Sequence, residues 1–175
     1  DSLRRPFKTL KGRTVYDGGG ITPDVIINPQ TVPRAVMSLI FAEVLSDYSI
    51  LYFRDHISIA EPKDFKLTDT EYEEFISYAA SRNFDGRSAS EVELDRLIAI
   101  LKEESMYDEF KDRVTALEEN VKLTKEEMLR RNSNIIRPFL EEEIVNRYYY
   151  ERGQIESVLR NDYQVKKALE VKLIN

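Results

Sequence analysis

From Pro33 onward, apolar residues recur three and four positions apart: Ala35, Val36, Leu39, Ile40, Phe41, Val44, Leu45, Tyr48, Leu51 and Tyr52. That period places them on one broad side of a helix, so the pattern predicts a single buried helix of about 20 residues. Pro33 suits its first position, where the missing N–H would have no partner anyway. Three later segments each begin with a hydroxyl residue followed three positions on by a glutamate: Thr68 to Glu71, Ser88 to Glu91 and Thr124 to Glu127. In this capping box the hydroxyl takes the glutamate's amide and the carboxylate reaches back to the first residue's own amide. Helical spacing follows each one: Tyr72, Phe75, Ile76 and Ala79; Val92, Leu94, Leu97, Ile98 and Leu101; Met128, Leu129, Ile135 and Ile136. Met106 to Val121 extends the second of these, with a kink expected near Glu104-Ser105. Pro138 lacks an amide to donate and predicts a break or kink near residues 132–137. Phe139, Leu140, Ile144, Val145 and Tyr148 define a further helix, with Gly153 expected as its left-handed cap. The chain is expected to finish in helix.

Residues 1–30 have a different texture. They hold four of the six glycines and three of the six prolines. Phe7–Leu10 and Thr14–Tyr16 are short β-prone runs, with a turn signal at Lys11-Gly12 between them. Asp24–Ile27 reads as a third short strand after the Asp17-Gly18-Gly19-Gly20 loop. Three such strands are marginal alone and make sense as the edge of a neighbouring sheet. The expected fold is therefore mainly α: a helical, bundle-like module over 31–175, preceded by a β-hairpin segment over 1–30.

Charge divides along the same line. Residues 1–30 carry five basic and three acidic side chains, while the remaining residues carry 21 basic and 29 acidic. An acidic module is a poor partner for a phosphate backbone, which argues against nucleic-acid binding. The chain has no cysteine, which excludes disulfides and thiolate chemistry. No apolar run reaches the length needed to cross a bilayer.

Candidate chemistry is sparse. No G-x-S-x-G elbow occurs, and the lone histidine, His56, reads as a surface or capping residue. Gly18-Gly19-Gly20 is not followed by the Gly-Lys-Ser/Thr step of a phosphate loop, and Pro23 comes next instead of a helix. Glu141, Glu142 and Glu143 point about 100° apart on a helix and cannot converge on a metal, so a solvated face is expected, with Glu143 pairing with Arg147. Tyr148, Tyr149 and Tyr150 fan around a helix, so at least one ring should be packed and at least one exposed. No catalytic residue, metal ligand or cofactor site emerges.

Gly12-Arg13 and Gly20-Ile21-Thr22-Pro23-Asp24-Val25, joined by a short strand, resemble the segment that closes the protease domain of carboxy-terminal processing (tail-specific) serine peptidases. The form Val15-Tyr16-Asp17-Gly18-Gly19-Gly20 is similar to that of the Bacteroides-type subgroup, and Arg147-Tyr148-Tyr149-Tyr150 with Gly153 fits the helical extension of that subgroup. The resemblance implies a parent peptidase with a serine nucleophile and a lysine general base, both upstream of this motif. It gives Gly12, Arg13, Gly20, Ile21, Pro23 and Asp24 structural roles: a tight turn at Gly12, positive φ at Gly20, a stiffened approach at Pro23, and pairing of Arg13 with Asp17 or Asp24. It implies no cofactor. The implied partners are the upstream protease and PDZ domains of the same chain, protein substrates of the parent, and further copies in a homo-oligomer. The implied location is the periplasm or cell envelope. On this reading the chain is a non-catalytic accessory region. The reading from a different class is an independent helical adaptor that binds a partner protein or peptide, motivated by the apolar helix from Pro33 and the tyrosine cluster.

Overall fold

In the computed structural model, which describes residues 5–16, 25–28 and 31–171, the apolar stripe after Pro33 forms two helices rather than one. α1 (Arg34–Phe41) and α2 (Val44–Asp55) are bent by 57° at a junction where Glu43 takes a left-handed conformation, φ 57° and ψ 18°. Periodicity misses the bend because the core-facing positions resume in phase: Ala35, Val36 and Leu39 on one side of the junction, Val44, Leu45, Tyr48 and Tyr52 on the other, are all buried. A left-handed glutamate costs about 1–2 kcal/mol, which the burial of both halves offsets. Pro33 stands just outside α1 as its N-cap residue, with extended ψ of 148°, rather than at the first helical position.

α3 (Asp69–Ala80), α4 (Ala89–Glu103), α5 (Tyr107–Val121) and α6 (Lys125–Arg131) follow. The expected boxes form in full at α3 and α6. Glu71 N donates to Thr68 Oγ1 at 3.2 Å and Thr68 N to Glu71 Oε2 at 2.7 Å; Glu127 N donates to Thr124 Oγ1 at 3.2 Å and Thr124 N to Glu127 Oε2 at 2.8 Å. At α4 only the first half forms: Glu91 N donates to Ser88 Oγ at 3.1 Å and the carboxylate does not return. The kink expected near Ser105 is a complete break between α4 and α5, with Ser105 at φ 59°.

α7 (Ser133–Asn161) starts after a break at Asn132, within the span that Pro138 predicts, and carries Pro138 inside its second turn. Its interruption lies at Tyr150, φ 57° and ψ −160°, not at Gly153. Gly153 is buried within the helix and has no left-handed φ. It is small for a steric reason: a Cβ there would clash with Tyr149 Cβ and meet Pro62 Cγ at 3.2 Å. α8 (Tyr163–Glu170) is capped by Asp162, whose Oδ1 accepts from Gln164 N at 2.7 Å and Val165 N at 3.1 Å.

α2 and α7 pack along each other, α1 and α3 flank α2, and α6 bridges α3 to α7. Phe75, Leu129, Ile136, Leu140 and Ile144 fill the centre of this bundle with essentially no exposure. Tyr48 meets Phe75 edge-on at 5.2 Å, and the Tyr72 hydroxyl donates to the Leu129 carbonyl at 2.9 Å, so both phenols enter the core without losing their polar end. α4 and α5 pair mainly with each other around a small separate core of Leu94, Ile98 and Val114. No single helix among the described residues is long and apolar enough to cross a membrane.

The chain divides into two compact units, 1–30 and 31–175. In the first, β1 (Pro6–Lys8) and β2 (Thr14–Tyr16) form an antiparallel hairpin that pairs Phe7 with Val15. The expected third strand is absent in its described part: residues 25–28 have no strand conformation, and Asp24 lies outside the described residues.

Candidate functional site

The β-hairpin turn is built by Thr9 and Gly12. Gly12 N donates to the Thr9 carbonyl at 2.9 Å, Thr9 N to the Arg13 carbonyl at 2.9 Å, and Arg13 N to Thr9 Oγ1 at 3.1 Å. Closing the turn puts Gly12 at φ +80°, a conformation that glycine adopts without a Cβ penalty, and nothing crowds its position. Gly20, Ile21, Pro23 and Asp24 lie outside the described residues, as does Asp17, so the expected Arg13 pairings fall there too.

Among the described residues the hairpin has two strands, and their side chains are exposed. Phe7 is 53% exposed, Tyr16 61% and Leu10 fully so. Phe7 and Val15 stand opposite each other on one face of the ribbon, an apolar cross-strand pair that is 53% and 38% exposed. Each strand also offers one unpaired edge within the two-stranded sheet, a ready template for further pairing.

The other candidates resolve into packing. His56 closes α2: its ring stacks on Tyr52 at 3.9 Å, and its Nδ1 lies 2.9 Å from the Tyr52 carbonyl. Tyr52 Oη in turn donates to Glu71 Oε1, and burial raises this phenol well above its ordinary range, with the Glu71 contact adding to it. Of the tyrosine triplet, Tyr148 packs against Phe53 at 4.7 Å and donates to the His56 carbonyl at 2.7 Å, while Tyr150 is exposed.

Two expectations about charges are overturned. Glu141 is not on a solvated face. It is buried, accepting from Leu67 N at 3.0 Å and from Arg160 Nη2 at 2.7 Å. Burial pushes its carboxyl up, and the Leu67 amide and Arg160 pull it back. Arg147 does not pair with Glu143; it donates to Ser49 Oγ at 3.0 Å and Ser46 Oγ at 2.8 Å on α2. These contacts join α7 to residues about a hundred positions earlier, and nothing in local spacing announces them. Arg160 also donates to the Phe65 carbonyl, so this ion pair pins the loop between α2 and α3 onto α7. Among the described residues no group of His, Asp and Glu is arranged to hold a metal ion.

One further surface stands out. α2 exposes two large apolar side chains, Ile50 at 52% and Phe53 at 47%, among the exposed charges of Asp47, Arg54 and Asp55, with Phe53 against Tyr148.

Comparison with known proteins gives one match. Residues 35–171 fit the family model described as "Probable PDZ-protease, C-terminal helical domain". No curated protein and no solved structure matches the chain.

Proposed function

This chain belongs to the family of C-terminal helical domains of probable PDZ-proteases, and from that premise we propose that it is the non-catalytic accessory region of a carboxy-terminal processing serine peptidase of the Bacteroides-type subgroup. The family takes in the helical domain, not a catalytic one. The Ser/Lys dyad belongs to the parent's protease domain, where a buried lysine with lowered pKa takes the serine proton. Residues 1–30 are then the closing hairpin of that protease domain, and residues 31–175 pack beside it, acting in domain packing, self-association or access of protein substrates. The periplasm or cell envelope is the compartment in which this parent works.

The observation that carries this reading is the uncovered hairpin. A ribbon of two described strands with Phe7, Val15 and Tyr16 exposed is marginal in itself and a good edge for a larger sheet. The decisive experiment is peptidase activity of the parent chain with and without residues 31–175, on an unfolded protein with an apolar C-terminus. The accessory role requires that deletion reduce activity or solubility. A truncated enzyme that works equally well and stays soluble overturns it.

The outer face of α2 favours a second reading, an adaptor that binds a partner protein through Ile50 and Phe53. Ile50→Ser with Phe53→Ser separates the two: an adaptor loses its partner while the parent's peptidase activity is unchanged.

A further inference from the structure

α7 is one helix by residue range and two by direction. Gln154 Nε2 donates to Glu142 Oε1 at 2.8 Å, and Arg160 Nη2 to Glu141 Oε2 at 2.7 Å. In a straight helix those pairs would stand about 18 Å and about 28 Å apart along the axis, beyond the reach of their side chains. The chain therefore turns back at Tyr150, and residues 151–161 lie as an arm along residues 133–149.

The sequence at this turn is that of a helix. Tyr150 has φ 57° and ψ −160°, a conformation essentially reserved for glycine and strained for any residue with a Cβ. The residue is 78% exposed, so packing of its ring does not account for the strain. Arg147-Tyr148-Tyr149-Tyr150-Glu151-Arg152 holds no glycine, proline or asparagine to end a helix. The seam beneath the arm is loose as well. A cavity of about 170 Å³ lies between Pro138, Phe139 and Glu142 on one side and Ser157, Val158 and Asn161 on the other. Ser157 Oγ and Arg160 Nε are buried without a hydrogen-bond partner among the described residues.

Strain at the turn and a loose seam both favour release of the arm. A released arm, however, leaves Glu141 buried without its cation. A second copy removes that cost, because its own arm brings the same Arg160 to the same Glu141. Short connections under strain invite this kind of exchange. The two bonded pairs are centred on residues 148–151, so two straightened α7 helices in the same register run antiparallel and cross at Tyr150, as a two-fold axis requires.

We propose that α7 opens at Tyr150 into one continuous helix and that residues 151–161, carrying α8 with them, dock on a second copy of this chain to form a two-fold, arm-exchanged dimer. The inference stands on the geometry of α7 and holds whether or not the parent is a peptidase.

The test exploits the absence of cysteine from the chain. Glu142→Cys and Gln154→Cys are made in separate chains, unfolded, refolded together at high concentration and oxidised. A disulfide-linked dimer holding one of each is expected, since position 142 of one copy then faces position 154 of the other. Light scattering of the unmodified chain should show a dimer that dissociates on dilution. Tyr150→Gly relieves the folded-back form and weakens the continuous helix, so it should raise the dimer's Kd about tenfold or more and raise the monomer's thermal midpoint. Tyr150→Ala removes the ring but keeps the Cβ and favours helix, so it should keep or strengthen the dimer. The proposal is overturned by a chain that stays monomeric up to its solubility limit, or by equal weakening in Tyr150→Gly and Tyr150→Ala. It is also overturned by a dimer whose Glu142→Cys, Gln154→Cys double variant forms its disulfide only within each chain.

Discussion

The bundle and the α4–α5 pair are written in the same amphipathic alphabet, yet they bury their side chains to different depths. In the bundle, Val36, Leu39, Phe75, Leu129, Leu140 and Val145 are all 0% exposed. In the α4–α5 pair the best-covered residues, Leu94 and Val114, retain 5%, and Leu97 and Leu117 are nearly half exposed at 46% and 47%. The cause is the number of neighbours. α2 packs against α1, α3 and α7, whereas α4 and α5 pack mainly against each other. A single pairing covers one stripe, so residues at its margins stay in water. Helical periodicity reports which side of a helix is covered but not how many layers lie over it. Within the helical unit, local opening should therefore begin at the α4–α5 pair.

The sharpest way to break this comparison is to unpair the charge that ties the bundle together. Arg160→Ala leaves Glu141 buried without its cation and frees the loop carbonyl at Phe65. It should cost about 3–5 kcal/mol of global stability, read from denaturant midpoints. Leu94→Ala should cost about 2–3 kcal/mol, the low end for a leucine in a small core, and the loss should be local. Hydrogen exchange would then show the amides of α4 and α5 losing protection while those of α2 and α7 keep theirs; uniform loss would mean the two regions fold as one unit.

The bundle alone should also respond to alkali. Burial raises the phenol of Tyr48 to about 12, with nearby glutamates adding to it, and burial likewise raises Tyr52 and Tyr72. In the unfolded chain these groups ionise near pH 10. The folded state holds their protons longer, so this contribution is complete below about pH 10 and is lost as pH rises through the folded values. Thermal midpoints should fall steeply above pH 10, and less steeply in Tyr72→Phe, which also gives up about 1 kcal/mol with its bond to Leu129. The smallest effect separates the caps. Glu127→Ala removes the carboxylate that accepts from Thr124 N and should cost about 1 kcal/mol, whereas Glu91→Ala breaks no such bond and should cost less.

What the sequence made legible was local. The boxes at Thr68 and Thr124 involve residues three apart, and the breaks near Ser105 and Asn132 follow from nearby residues. The bend at Glu43 stayed hidden because it preserves the phase of the apolar stripe, and the interruption at Tyr150 because no glycine marks it. Glu141 reads as surface in a run of three glutamates. Its partners, Leu67 and Arg160, lie 74 and 19 residues away, and only the packed bundle brings them together. Glu91 was legible as a cap, but not that only half of its box forms, since the second half is a side-chain choice that the motif does not dictate.

The central claim is that the hairpin at residues 6–16 is the edge of a sheet that the parent's protease domain completes. Hydrogen exchange at the amides of residues 7–16, compared between this chain and the intact parent peptidase, tests it most directly. Fast exchange in the chain alone and strong protection in the parent are expected. Equal exchange in both would show that no sheet is built on this hairpin, and would contradict it.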